Sequence, residues 1–153
     1  MTPAVMVPST PLTPVNRTGM LHHLSLAVTD LGRSAAFYDA VLATLGYRRV
    51  WADTTFIGYG LNEGEDIFAL KHRPANTGVP GDGFHVAFTA SSKKAVLGFQ
   101  QAALAHGGTD NGGAGLYPEY EPYYFAAFVM DPDGYRIAAV LMGASVQPLS
   151  SDR

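Results

Sequence analysis

The chain is 153 residues long with 47% apolar residues, enough for one domain with its own hydrophobic core. Ten basic residues against thirteen acidic ones, with no run of either sign, exclude an electrostatic surface for nucleic acid or anionic membrane. Cysteine is absent, which removes disulfides, thiolate metal sites and cysteine nucleophiles. No apolar stretch reaches the about 18 residues of a membrane helix, and the N-terminus lacks the order of a secretion signal, so a cytoplasmic protein is expected. Asn16-Arg17-Thr18 fits a glycosylation pattern by chance alone on that reading.

Residues 1–19 carry Pro3, Pro8, Pro11 and Pro14 among Ser and Thr, a composition that builds neither helix nor core. They read as a tail expected to dock on a neighbouring subunit. From His22 to Val28 the residues alternate with period two, placing Leu24, Leu26 and Val28 on one face of a strand. Thr29 or Asp30 supplies a helix N-cap, and Phe37, Val41, Leu42 and Leu45 recur at helical spacing until Gly46. Segments 47–53, 55–61 and 66–72, rich in aromatic and β-branched residues, read as three strands.

The programme then repeats. A strand over 83–89, a helix from about 93 to 106 capped by Ser91 or Ser92, a weak strand near 109–117 and strands over 124–130 and 135–142 follow in the same order. A shift of 62 residues superposes His23 on His85, Phe37 on Phe99, Ala40 on Ala102 and Gly46 on Gly108, a degenerate internal repeat. The chain therefore divides into a single domain over 20–143, with modules of about 20–74 and 83–143, and a C-terminal tail over 144–153.

On each module's first strand the large apolar residues bury against the helix, which turns His23, Ser25 and Ala27, and likewise His85, Ala87 and Thr89, to the other face. Two such faces curved toward each other enclose a pocket lined by two imidazoles, side chains that serve both as structural hydrogen-bond partners and as ligands of transition metals. Asp131-Pro132-Asp133-Gly134 lacks the remaining ligands of a calcium loop and reads as a plain hairpin turn. The tyrosines and phenylalanines from Tyr117 to Phe128 are core or sheet surface, and those that face the pocket suit an aromatic or apolar ligand.

The order of elements, the paired strand histidines, Leu24-Ser25-Leu26-Ala27-Val28-Thr29-Asp30 leading into Arg33-Ser34-Ala35-Ala36-Phe37-Tyr38, and Phe128-Val129-Met130 before the Asp-Pro-Asp-Gly turn resemble the vicinal oxygen chelate superfamily. That superfamily groups glyoxalase I, bleomycin-resistance proteins and extradiol dioxygenases. The resemblance covers about residues 20–143 and implies an α+β fold of two βαβββ modules, a curved half-barrel around a central pocket. It also implies a homodimer and a divalent ion (Mn, Fe, Ni or Zn) held by first-strand histidines and last-strand glutamates. His23 and His85 fall on the histidine positions. The glutamate of the second module is replaced by Ala138, and the first module's Ile67-Phe68-Ala69-Leu70-Lys71 has no acid in its middle. Asp66, Glu119, Glu121 or a tyrosine could supply a third donor. Ser25, Ala87, Thr89, Tyr124 and Ala138 are the expected pocket residues. Two readings follow: a metal-dependent lyase, isomerase or dioxygenase with an incomplete metal site, or a metal-free binding or sequestration protein for an apolar or aromatic small molecule.

Overall fold

A computed structural model describes residues 19–75 and 78–141. The expected tails, apart from Gly19, lie outside the described residues, as does Met142 at the end of the expected last strand. The elements run β1 (Leu24–Val28), α1 (Leu31–Ala43), β2 (Arg48–Ala52), β3 (Phe56–Gly60), β4 (Asp66–His72), β5 (Val86–Ala90), α2 (Lys93–Ala105), β6 (Thr109–Leu116), β7 (Phe125–Met130) and β8 (Arg136–Leu141). They form two separate four-stranded sheets, β1-β4-β3-β2 and β5-β8-β7-β6, in which only β1/β4 and β5/β8 are parallel. The fold is thus the expected α+β pair of βαβββ modules.

The 62-residue offset maps β1 onto β5 and α1 onto α2 end for end. Both helices start where a short polar side chain takes an otherwise unpaired amide: Asp30 accepts from the Arg33 N–H and Ser92 from the Ala95 N–H, each at 3.0 Å. Past the helices the offset grows, to 69 where Phe125 opens β7 against Phe56 of β3, and to 70 where Arg136 opens β8 against Asp66 of β4. The extra residues of the second module fall in a longer edge strand and in the loop from Tyr117 to Tyr124.

One continuous core joins the modules, with Phe37, Tyr38 and Leu42 of α1, Phe99 of α2, and Phe68, Leu70 and Ile137 of the sheets among its members. Phe37 and Phe99, equivalent in the repeat, are both fully buried. Full burial of one such ring contributes about 1.5–3 kcal/mol, whereas exposed ion pairs such as Arg49–Asp39 and Arg48–Glu63 contribute about 0–1 kcal/mol each, so packing dominates. α1 packs against α2, and just past the end of α2 the chain runs close to α1 at Gly108, where an added Cβ would stand 2.7 Å from the Phe37 ring and 2.8 Å from the Met130 carbonyl oxygen. Phe68 meets Phe88 edge-on across the seam, with ring centres 5.2 Å apart.

The turn at Asp131-Pro132-Asp133-Gly134 does more than reverse the chain. The buried Asp131 carboxylate accepts from the Tyr38 hydroxyl at 2.6 Å and from the Asp133 and Tyr135 amides at 2.9 Å. Asp133 accepts from the Thr29 amide and hydroxyl and pairs with Arg33, while the Tyr135 hydroxyl donates to the Ala27 carbonyl at 2.7 Å. Every one of these side-chain partners belongs to the first module, so the turn clamps the second module to the first.

Candidate functional site

In the second sheet, Ile137, Ala139 and Leu141 of β8 point into the core, as do Ala127 and Val129 of β7. Alternation therefore turns Ala138, Phe128 and Ala87, which are register partners across β5, β8 and β7, to the face away from α2. His85, two residues before Ala87, shares that face and stacks at a tilt on Phe128, with ring centres 5.7 Å apart.

The wall of the site comes from β6 and its loop. A bulge between Asp110 and Gly113 bends the edge strand, and Gly112 and Gly113 sit at φ of +130° and +81°, a backbone that side chains beyond Cα resist. The Tyr117 hydroxyl sits over this bend, 2.5 Å and 2.9 Å from the Gly112 and Gly113 carbonyls, and its one proton serves that pair. Backbone bonds from the Tyr117 amide to the Tyr124 carbonyl and from the Tyr124 amide to the Glu121 carbonyl close the loop. Tyr120 then stacks on Tyr117 at 5.9 Å and meets Tyr124 edge-on at 5.1 Å, while Tyr117 meets Phe128 edge-on at 5.0 Å. The result is a cavity of about 630 Å³ lined by these aromatic residues together with His85, Asp82 and Asn111.

Desolvation draws the His85 imidazole below the usual histidine value, so at neutral pH it is uncharged and offers one N–H and one lone pair. Desolvation likewise raises the Tyr117 and Tyr124 hydroxyls, helped at Tyr117 by Asp110 and at Tyr124 by Tyr120 and Glu121, so both remain protonated. The site can therefore stack a planar apolar group and exchange neutral hydrogen bonds with its polar edge.

A second cavity of about 500 Å³ lies in the seam between the modules, lined by Leu24, Tyr59, Phe68 and Phe88 together with His22 and His23. The expected site residues are divided between the two. His85 and Tyr124 line the cavity of the second module, and His23, Ala87 and Thr89 line the seam. Ser25 and Ala138 line neither, and Ala138, on the face of its sheet away from α2, is fully covered. Of these two cavities, His23 thus lines one and His85 the other. Phe128 belongs to the aromatic run from Tyr117 that the sequence divides among core, sheet surface and pocket without saying which, and nothing in the sequence marks Asp82 or Asn111.

The family model of the glyoxalase/bleomycin resistance protein/dioxygenase superfamily matches residues 20–139, and the chain belongs to that superfamily. Among solved structures, a glyoxalase/bleomycin resistance protein from Albidiferax ferrireducens is similar at 28% identity and a TM-score of 0.72, covering 81% of this chain and 100% of its own. A glyoxalase-related enzyme from Fulvimarina pelagi (22% identity, TM-score 0.62, 80% and 88% covered) shares the fold. So does glyoxalase I from Zea mays (23%, 0.59, 76% and 43%). No curated protein matches the sequence.

The divalent ions common in this superfamily ask for about three protein donors around an open position. Among the described residues no three of His, Asp or Glu converge, and β8 carries no acid between Arg136 and Leu141. The donor set of a single chain does not fit such an ion, and no chemical step is routed through one.

Proposed function

We propose that the protein binds an apolar or aromatic small molecule on the open face of its second module without a metal ion. The observation that carries this reading is the cluster of Tyr117, Tyr120, Tyr124 and Phe128 lining, together with His85, a cavity of ligand size. In this account Tyr120, Tyr124 and Phe128 take the ligand's ring and exclude water from it. His85 and Asn111 orient its oxygen or nitrogen atoms by hydrogen bonds, and the alanine at 138 leaves no carboxylate to hold a cation. Titration of 1-naphthol, followed by its fluorescence in EDTA, tests the proposal. Saturable binding that weakens at least tenfold in Tyr124→Ala and Phe128→Ala supports it, and binding that both variants keep unchanged would refute it.

The same proposal places the protein in the cytoplasm as a homodimer. Exposed Leu21, Trp51 and Ile67, together with the edges of β1 and β5 that are unpaired among the described residues, support association. No helix among the described residues is long and apolar enough to cross a membrane. Light scattering on the full chain and on one beginning at Met20 tests the dimer, and a monomer in both would refute it.

A further inference from the structure

We propose that His22 and His23, with the thioether of Met20, form a site for a soft monovalent d10 cation of the Cu(I) type, separate from the cavity of the second module. The Nδ1 atoms of the two adjacent imidazoles face each other at 2.8 Å, with the rings nearly perpendicular at 82°. Each Nδ1 has a single in-plane position, either a lone pair or an N–H. An N–H on either ring can bond the lone pair of the other at this separation, so the two in-plane directions converge on one point.

A two- or three-coordinate metal can take that point in place of the proton. With metal–nitrogen bonds of about 2 Å, trigonal to linear coordination needs the nitrogens about 3.5–4 Å apart. Both rings precede the first paired residue of β1 and are exposed, so they can turn that far without disturbing the sheet. Met20, two residues upstream and 94% exposed, supplies a sulfur donor within the same short segment.

The surroundings select the kind of ion. None of the ion pairs among the described residues involves this segment, and no group of three His, Asp or Glu forms there, so a hard dication finds neither oxygen donors nor charge balance. On its inner side the segment borders an apolar cavity with Leu24, Phe68 and Phe88. The penalty for charge beside such a surface rises steeply with the charge, which favours a monovalent ion over a divalent one. Neutral imidazole and thioether donors match Cu(I), whose preferred ligands are soft. His23 is then committed to its neighbour, in keeping with its lining a different cavity from His85.

The experiment is an anaerobic competition for Cu(I) between the full-length protein and bicinchoninate, with Ag(I) as a redox-inert second probe and nitrogen-15 shifts of the histidine rings as the site-specific signal. The expected result is one equivalent bound, with the His22 and His23 Nδ1 resonances displaced. Loss of a direct donor should exceed the about tenfold effect of losing an outer partner, so His22→Ala and Met20→Leu are each expected to weaken binding by more than about tenfold. His106→Ala, on the far end of α2, should change nothing. Equal affinity in native protein and His22→Ala, or displacement of the His85 resonances instead, would overturn the assignment. Because the second module's cavity is not involved, 1-naphthol binding should survive His22→Ala, which keeps the two proposals separable.

Discussion

Replacing Tyr38 with phenylalanine removes one hydroxyl from the clamp between the modules and leaves the ring packing in place. That hydroxyl donates at 2.6 Å to the buried Asp131 carboxylate, and a hydrogen bond to a charged group contributes about 1.5–3 kcal/mol. A chain of this size loses about 2–4 °C of Tm per kcal/mol, so Tyr38→Phe should unfold about 3–12 °C lower at neutral pH. The pH dependence is more specific. Burial raises the Asp131 carboxyl above the usual carboxylate value, opposed by its hydrogen bonds from Tyr38 and from the amides of Tyr135 and Asp133. A raised native pKa means the folded chain takes the proton first, so this group's contribution to stability falls as pH rises through the window between the unfolded and native values. Without the Tyr38 bond that window extends upward. The gap between native protein and Tyr38→Phe should therefore be widest near neutrality and narrow toward acid, where a protonated Asp131 leaves only a neutral hydrogen bond of about 0.5–1.5 kcal/mol to lose. Thermal unfolding of both proteins from about pH 8 down to about pH 4 measures it. A gap that stays constant with pH, or a Tm change under about 1 °C, would refute the charged clamp.

Gly108→Ala places a Cβ less than 3.0 Å from the Phe37 ring and from the Met130 and Ala103 carbonyls. Overpacking of this kind costs about 1–3 kcal/mol, and a denaturant midpoint equal to the native one would show that the helices can separate freely. Ala138→Glu sets a carboxylate on the covered face beside Ala87 and Phe128, on the side of the sheet that His85 shares. In EDTA it should lower Tm, because a buried unpaired charge is unfavourable. Ni or Zn should recover part of the loss and bind at least about tenfold tighter than to native protein. Equal metal affinity in the two proteins would mean that another donor already completes a site.

Periodicity and spacing made the architecture legible because both modules follow the same local rules. Alternation across Leu24, Leu26 and Val28 and the capping positions at Asp30 and Ser92 place β1, α1 and α2 as found, and the 62-residue offset holds to the residue through both helices. The site was legible only by parity. The position of His85 on the face away from α2 follows from alternation, but whether His23 meets it depends on how α1 lies along α2, which no pattern within either module encodes. Both histidines also stand just before the first paired residues, Leu24 and Val86, where no ladder fixes the side chain. The role of Asp131 and Asp133 was hidden for a related reason. Their turn chemistry satisfies the local sequence completely, and their partners Tyr38, Thr29 and Arg33 lie more than 90 residues away. The asymmetry that builds the cavity was visible as extra length before β7, without a sign of which way its tyrosines turn.

The central claim, a metal-free ligand site on the second module, is tested most directly by NMR of the isotope-labelled full-length protein titrated with 1-naphthol in EDTA and then with Mn, Ni or Zn restored. The account predicts saturable shifts at His85, Tyr120, Tyr124 and Phe128 in EDTA, unchanged when the metal is added. Shifts that appear only with the metal, or that fall on Leu24, Phe68 and Phe88 of the seam instead, would contradict it.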